Sequence, residues 1–130
     1  MVMGERVIMS REILFKAKRK DNGEWVEGQY VYITNPLTED GKPIKHLICN
    51  GTNIFNDLID PDTLCQYTGL TDKNGKKIWE NDLLGHKLNR VEFLNGTYCI
   101  NGDRSLFFEA NTNEVIGNIF DNQEMLEVER

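Results

Sequence analysis

Apolar and polar positions alternate along much of this chain with a period of two. From Glu12 to Lys18, Ile13, Phe15 and Ala17 fall on one side and Lys16 and Lys18 on the other, the pattern of a half-buried strand. Asp21-Asn22-Gly23 follows as a turn. Trp25 to Ile33 then alternates again, with Val26, Gly28, Tyr30 and Tyr32 sharing a face. Val91-Glu-Phe-Leu94, Asn95-Gly96 and Thr97-Tyr-Cys-Ile100 form the clearest hairpin. Asn-Gly occurs five times, at residues 22, 50, 74, 95 and 101. Both residues tolerate the positive φ that two-residue hairpin loops require, so the repetition predicts a hairpin-built β protein.

The remaining segments are less regular. Thr34 to Pro43 is a polar loop, and Ile44 to Cys49 fits a further strand. Asn53 to Ile59 suits a short helix or a strand. Asp121 to Glu127 suits one or two helical turns capped by Asp121 or Asn122. No long stretch has a 3.6-residue period, which argues against a helical bundle. A division near Pro61 to Leu64 splits the chain into two parts. Residues 1–62 form a smaller β-rich region of leader, hairpin and loops. Residues 63–130 carry short strands at roughly 8–12 residue spacing, as in a small barrel or sandwich.

Composition narrows the function classes. The 130 residues carry a net charge of −6 and a sequence pI of about 4.9, which disfavours non-specific binding to nucleic acid. The exception is a basic run, Lys16, Lys18, Arg19 and Lys20, with Arg6 and Arg11 upstream. Lys16, Lys18 and Lys20 with Trp25, Tyr30 and Tyr32 make a candidate binding surface: cations for phosphates, aromatics for stacking on bases. The other reading of that run is a solvated face paired with acids, for instance Glu124, Glu127 and Glu129 of the tail. Three dispersed cysteines, Cys49, Cys65 and Cys99, suit reduced thiols and not a disulfide framework. No secretory leader is visible in residues 1–8, and no apolar run approaches the roughly 20 residues of a membrane span. The expected location is the cytoplasm, where the two Asn-Gly-Thr sequons serve as turns.

Three segments resemble the YopX family of phage and prophage proteins: Ser10 to Ala17, Gln66 to Leu84, and Glu114 to Asn122. The second is the most specific, running Gln-Tyr-Thr-Gly-Leu-Thr-Asp-Lys-Asn-Gly-Lys-Lys-Ile-Trp-Glu-Asn-Asp-Leu-Leu. The resemblance implies an SH3-like, partly open β-barrel for residues 63–130, beside the smaller β-rich N-terminal part. It carries over no catalytic, cofactor or metal residues. Its signature positions in this chain are Tyr67, Gly69, Gly75, Trp79, Asn81 and Asp82. Where the family usually has Glu-Gly-Asp, this chain has Glu80-Asn81-Asp82. Asn is the non-glycine residue that most readily takes positive φ, so Asn81 is expected in a left-handed turn with Asp82 as a structural acid.

Sites of chemistry are scarce. Asp72-Lys-Asn-Gly75 has the wrong spacing for a calcium loop and fits a turn. His46 and Cys49 would face opposite sides of a strand, and His86 is distant in sequence. Asp57, Asp60 and Asp62 form an acidic cluster with a catalytic or magnesium reading, but Asp60-Pro61-Asp62 is also ordinary loop chemistry. Neither Ser10 nor Ser105 sits in a nucleophile motif. No catalytic residue, cofactor or metal is assigned, and the chain is not read as an enzyme. The expectation is a binding module for a host or phage protein, assembled as a homo-oligomer. A nucleic-acid accessory role through the basic hairpin ranks second and an enzyme last.

Overall fold

The computed structural model describes residues 12–34, 39–42, 45–50, 57–85 and 89–128. Its class is mainly β, as expected. The six-stranded sheet has the order β4-β3-β2-β1-β5-β6, and the five-stranded sheet the order β10-β9-β8-β7-β11. The strands of the first are β1 (Phe15–Lys18), β2 (Trp25–Ile33), β3 (Lys45–Cys49), β4 (Asp57–Leu58), β5 (Cys65–Thr71) and β6 (Lys77–Trp79). Those of the second are β7 (Asp82–Leu84), β8 (Asn89–Leu94), β9 (Thr97–Ile100), β10 (Arg104–Ser105) and β11 (Val115–Asn118). Two short helices follow β10 and β11: α1 (Leu106–Glu109) and α2 (Gln123–Val128). All pairings between strands are antiparallel.

Local turn chemistry sets the hairpins. Asn95 and Gly96 both have positive φ, 53° and 82°, which gives a two-residue loop between the paired Leu94 and Thr97. At the first hairpin, Asn22 Oδ1 accepts from the Glu24 amide at 2.9 Å. There the register runs from Lys18↔Trp25 to Phe15↔Gly28. The strand expected at Ile44 to Cys49 is β3, and the ambiguous stretch before Ile59 ends in β4. Residues 44 and 51–56 lie outside the described residues, as do the leader 1–11 and the sequence turn at 50–51 beyond Asn50. The tail forms α2, as the sequence suggested.

The first sheet crosses residues 62 and 63. Tyr67 donates its amide to Leu14 O at 2.8 Å, and β5 and β6 extend the sheet beyond β1. The expected SH3-like closure is not established, because neither sheet closes on itself. The five-stranded sheet ends in the two-residue β10 at one side and in β11 at the other. β11 does not present a bare edge: Asp72 and Asn122 side chains accept the Val115 and Asn118 amides.

Three cores result. One face of the first sheet buries Ala17, Ile48 and Ile59 against Phe15, Val26 and Tyr30. Its other face buries Cys65, Tyr67 and Trp79 against Leu14, Trp25 and Phe120. The second sheet closes over Ile78, Leu84, Val91, Ile100, Leu106 and Ala110. β6 joins the last two, since Ile78 points into one core and its neighbour Trp79 into the other. Each fully buried Leu or Ile stabilises the fold by roughly 1.5–3 kcal/mol.

Candidate functional site

The candidate surface on the first hairpin divides between two faces. Lys16, Lys18 and Trp25 project from one, because Lys18 pairs with Trp25 and side chains alternate. Tyr30 and Tyr32 project from the other, which packs on Phe15 and His46. Lys20 lies beyond the strand, exposed, in the turn. The six residues therefore do not form one stacking platform. The basic face is also engaged within the chain. Lys18 Nζ pairs with Asp121, and the Trp25 indole N–H donates to the same carboxylate at 2.8 Å. Burial works against ionisation there, but hydrogen bonds from Lys18, Trp25 and Asn118 outweigh it and hold Asp121 down at about 2. The acids that meet the basic run are thus Asp121 at Lys18 and Asp21 at Arg19. Glu124 makes no such contact, and the side chains of Glu127 and Glu129 lie outside the described residues.

The second aromatic set is compact. Tyr30 Oη and His46 Nδ1 share a hydrogen bond of 2.6 Å. Burial, then the neighbouring Tyr32, raises the Tyr30 phenol above its ordinary value. Cys49 lies next along β3 on the opposite face from Ile48 and His46, so His46 and Cys49 do not converge. His86 is outside the described residues.

The signature segment builds structure. Tyr67 and Trp79 are cross-strand partners with rings 5.6 Å apart. Gly69 and Gly75 have φ of 87° and 82°. Asp72, buried, accepts the amides of Asn74, Lys76 and Val115 at 2.8–2.9 Å. Burial opposes its charge, yet those amides and the Lys76 cation keep its carboxyl below the ordinary value. The Asp72 loop is therefore a turn clamped to β11. Glu80 exchanges hydrogen bonds with Gln66, and burial raises its carboxyl despite the Gln66 amide.

Asn81 has φ of 71°. Its amide donates to Val91 O at 2.8 Å and its carbonyl accepts from Ile119 at 3.0 Å. Its side chain accepts from Arg90 Nη2 at 3.3 Å. A β-branched residue is disfavoured at such dihedrals. Asn81→Val is therefore expected to destabilise by about 1–2 kcal/mol and Asn81→Gly to be roughly neutral. Urea unfolding of both variants checks this; equal midpoints for the two would refute it.

Asp82 is only 2% exposed. Its Oδ2 accepts the Trp79 amide at 2.8 Å. Burial pushes its carboxyl up to about 6, with the Trp79 amide and the charges of Lys16 and Lys76 working the other way. Cys65 is buried beside Asn81, and burial raises its thiol to about 11. A thiol that stays protonated at neutral pH is a poor nucleophile.

Within the acidic cluster, Asp60 is a cap. Asp60 Oδ1 accepts the Asp62 amide at 3.0 Å over the 3-10 turn Pro61–Thr63. The Asp57 side chain and Ser10 lie outside the described residues, and Ser105 precedes α1 without a side-chain cap bond. Among the described residues, no three His, Cys, Asp or Glu side chains come together to hold a metal ion. No described helix is long and apolar enough to cross a membrane.

Two grooves escape sequence reasoning, because each joins strands distant along the chain. The larger, of about 810 Å³, lies between β5 and the β8–β9 hairpin and is lined by Glu12, Gln66, Tyr67, Phe93 and Tyr98. Phe93 is 50% exposed and meets Tyr98 edge-on at 4.9 Å. The smaller, of about 320 Å³, runs between β6 and β11 and is lined by Lys16, Lys76, Lys77, Trp79 and Asp82.

These features define a mainly β, two-sheet protein whose signature residues close turns and pair strands. The chain belongs to the YopX family: the family model described as YopX protein matches residues 14–127. The crystal structure of protein EF1440 from Enterococcus faecalis is similar, with a TM-score of 0.58 at 22% identity, covering 90% of this chain and 99% of that one. That likeness is one of fold. No curated relative matches at comparable strength.

Proposed function

We propose that this chain is a non-catalytic binding module, a cytoplasmic accessory protein of phage or prophage origin. It engages an extended segment of a partner protein through the groove between β5 and the β8–β9 hairpin. The observation that carries this reading is the aromatic lining of that groove, with Tyr67 as floor and the exposed Phe93 backed by the half-buried Tyr98 as wall. Aromatic-lined grooves suit extended, proline-containing peptides, whose backbone is already ordered. Glu12 in the groove and the net charge of −6 favour a basic residue in the partner. Residues 63–130, which hold β5, β6 and the five-stranded sheet, are the part that the family resemblance assigns to an SH3-like, partly open barrel, and the comparison with peptide-binding barrels is one of fold.

The non-catalytic side rests on how the polar groups are used. Asp72, Glu80 and Asp82 accept backbone amides, and the Cys65 thiol is held protonated. A nucleic-acid role has less support, since Tyr30 and Tyr32 face away from Lys16 and Lys18 and the Trp25 indole is tied to Asp121. Selection from a library of displayed short peptides tests the proposal. Enriched peptides are expected to share proline and a basic residue, and Phe93→Ala is expected to weaken them by about tenfold. Enrichment of nothing, or an unchanged affinity in Phe93→Ala, would overturn it.

The same reading makes the chain a homo-oligomer. Phe107 and Phe108 on α1 are 68% and 80% exposed, and adjacent bare aromatics of this kind mark association surfaces. Light scattering at micromolar concentration is expected to give more than a monomer mass, and Phe107→Ser/Phe108→Ser to lower it. A monomeric parent chain would refute the oligomer.

A further inference from the structure

The groove between β6 and β11 uses residues that the aromatic groove does not, and its chemistry differs. β6 is an edge of the first sheet and β11 an edge of the second. Lys77 comes from β6, Lys76 from the turn before it, and Lys16 reaches across from β1. Lys16 Nζ stands 4.5 Å from the Trp25 ring centre and 5.0 Å from that of Trp79. Lys77 Nζ stands 5.6 Å from the Tyr67 ring centre. The rings thus hold two of the ammonium groups in place without neutralising them. Among the described residues, none of the three lysines has a carboxylate at ion-pair distance, whereas Lys18 does.

Two acids share the groove. Glu27 is the cross-strand partner of Lys16. Asp82 is almost wholly buried, with one side-chain oxygen on the Trp79 amide. Three cations against two acids leave a positive groove on a chain of net charge −6. Such a groove concentrates anions that the rest of the surface repels. Its volume of about 320 Å³ is near the lower end of small-ligand sites. Trp79, at 4% exposure, is a wall and not a stacking platform, so the attraction comes from charge.

We propose that the groove between β6 and β11 is a binding site for a small molecule carrying a phosphate or diphosphate group, held by Lys16, Lys76 and Lys77. Lysine ammoniums serve phosphates as point charges, and three of them suit a group with oxygens on several sides. The linings of the two grooves share no residue, although the Lys77 ammonium stands over Tyr67, the floor of the peptide groove.

The probe is inorganic pyrophosphate, titrated at neutral pH and low salt into the isotope-labelled full chain and followed by NMR. Saturable shifts are expected around β6, β11 and Lys16, weakening as salt rises. Lys76→Gln/Lys77→Gln is expected to lose about tenfold in affinity with the dispersed spectrum of the folded chain retained, and adding Lys16→Gln to lose more. Asp82→Asn removes an anion from the groove and is expected to tighten binding severalfold. Scattered or non-saturating shifts, or an unchanged affinity in the double lysine variant, would overturn the site. A short single-stranded oligonucleotide is the competitor. If it binds at least about tenfold more tightly than pyrophosphate with a steep salt slope, the phosphates belong to a nucleic acid and the small-molecule proposal falls.

Discussion

Gly28→Ala is expected to destabilise the protein by about 3 kcal/mol. Gly28 lies buried in the middle of β2, where no turn or positive φ asks for glycine. Its importance is the absence of a side chain. A Cβ built there collides with the carbonyl oxygen of Cys49, lies 2.8 Å from that carbonyl carbon and 3.0 Å from Ile48 Cγ2. Two of those three atoms are backbone and have no rotamer to yield. The backbone is held as well, since Gln29 pairs with Cys49 and Tyr30 with Ile48 on one side, and Phe15 pairs with Gly28 on the other. Relief would have to come from separating β2 from β3, at the expense of ladder bonds and of the core around Ile48. Urea unfolding of the variant measures the cost. A loss below about 1 kcal/mol would mean that the sheet gives way cheaply and that the close approach does not constrain it.

Gly28 also shows where the sequence was legible and where it was not. Alternation placed Gly28 on the face of Val26 and Tyr30, because a period of two is a property of the strand alone. That a carbonyl from Cys49 crosses over it depends on β3, two strands along the sheet order from β1. The hairpin β8–β9 was readable for the same local reason, as Asn95-Gly96 fixes both turn and register, whereas in β1–β2 the Asn22-Gly23 signal marks the turn but not its length. Asn81 was readable from residue type, since a left-handed position leaves few choices. The pairing of β5 and β6 beside β1 was not, because nothing local records which distant strand completes a sheet. Nor was the partner of Lys18. Asp121 is one acid among many and stands 103 residues from Lys18. The split of the candidate surface was within reach: alternation already put Lys16 opposite Phe15 and Tyr30 opposite Trp25 by the parity of their positions. It took the register Lys18↔Trp25 to show that the two alternations run in phase. Both grooves join segments distant in sequence, so no motif announces them.

Asp82 gives the second large effect, one that depends on pH. In the unfolded chain its carboxyl titrates near its ordinary 3.8, and in the fold burial raises it to about 6. The folded state therefore holds this proton more tightly than the unfolded state. Its contribution to stability is fully present below the unfolded value and is lost as pH rises through the folded one. A shift of roughly two units corresponds to about 3 kcal/mol lost between acid and neutral conditions. Glu80, also raised, acts in the same direction, while Asp72 and Asp121, both lowered, lose their stabilisation as pH falls. The pH profile of the parent chain alone therefore mixes opposing effects, and the difference between the parent and Asp82→Asn isolates one group. The amide oxygen of the variant can still accept the Trp79 N–H, now 2.8 Å from Asp82 Oδ2, so the turn survives. The neutral side chain carries no ionisation cost. Asp82→Asn is expected to match the parent near pH 4 and to exceed it by about 2–3 kcal/mol near pH 7.5. Urea unfolding at the two pH values reads the difference. A variant less stable than the parent at the higher pH would mean that the attraction of Lys16 and Lys76 for the ionised Asp82 carboxylate outweighs the cost of its burial.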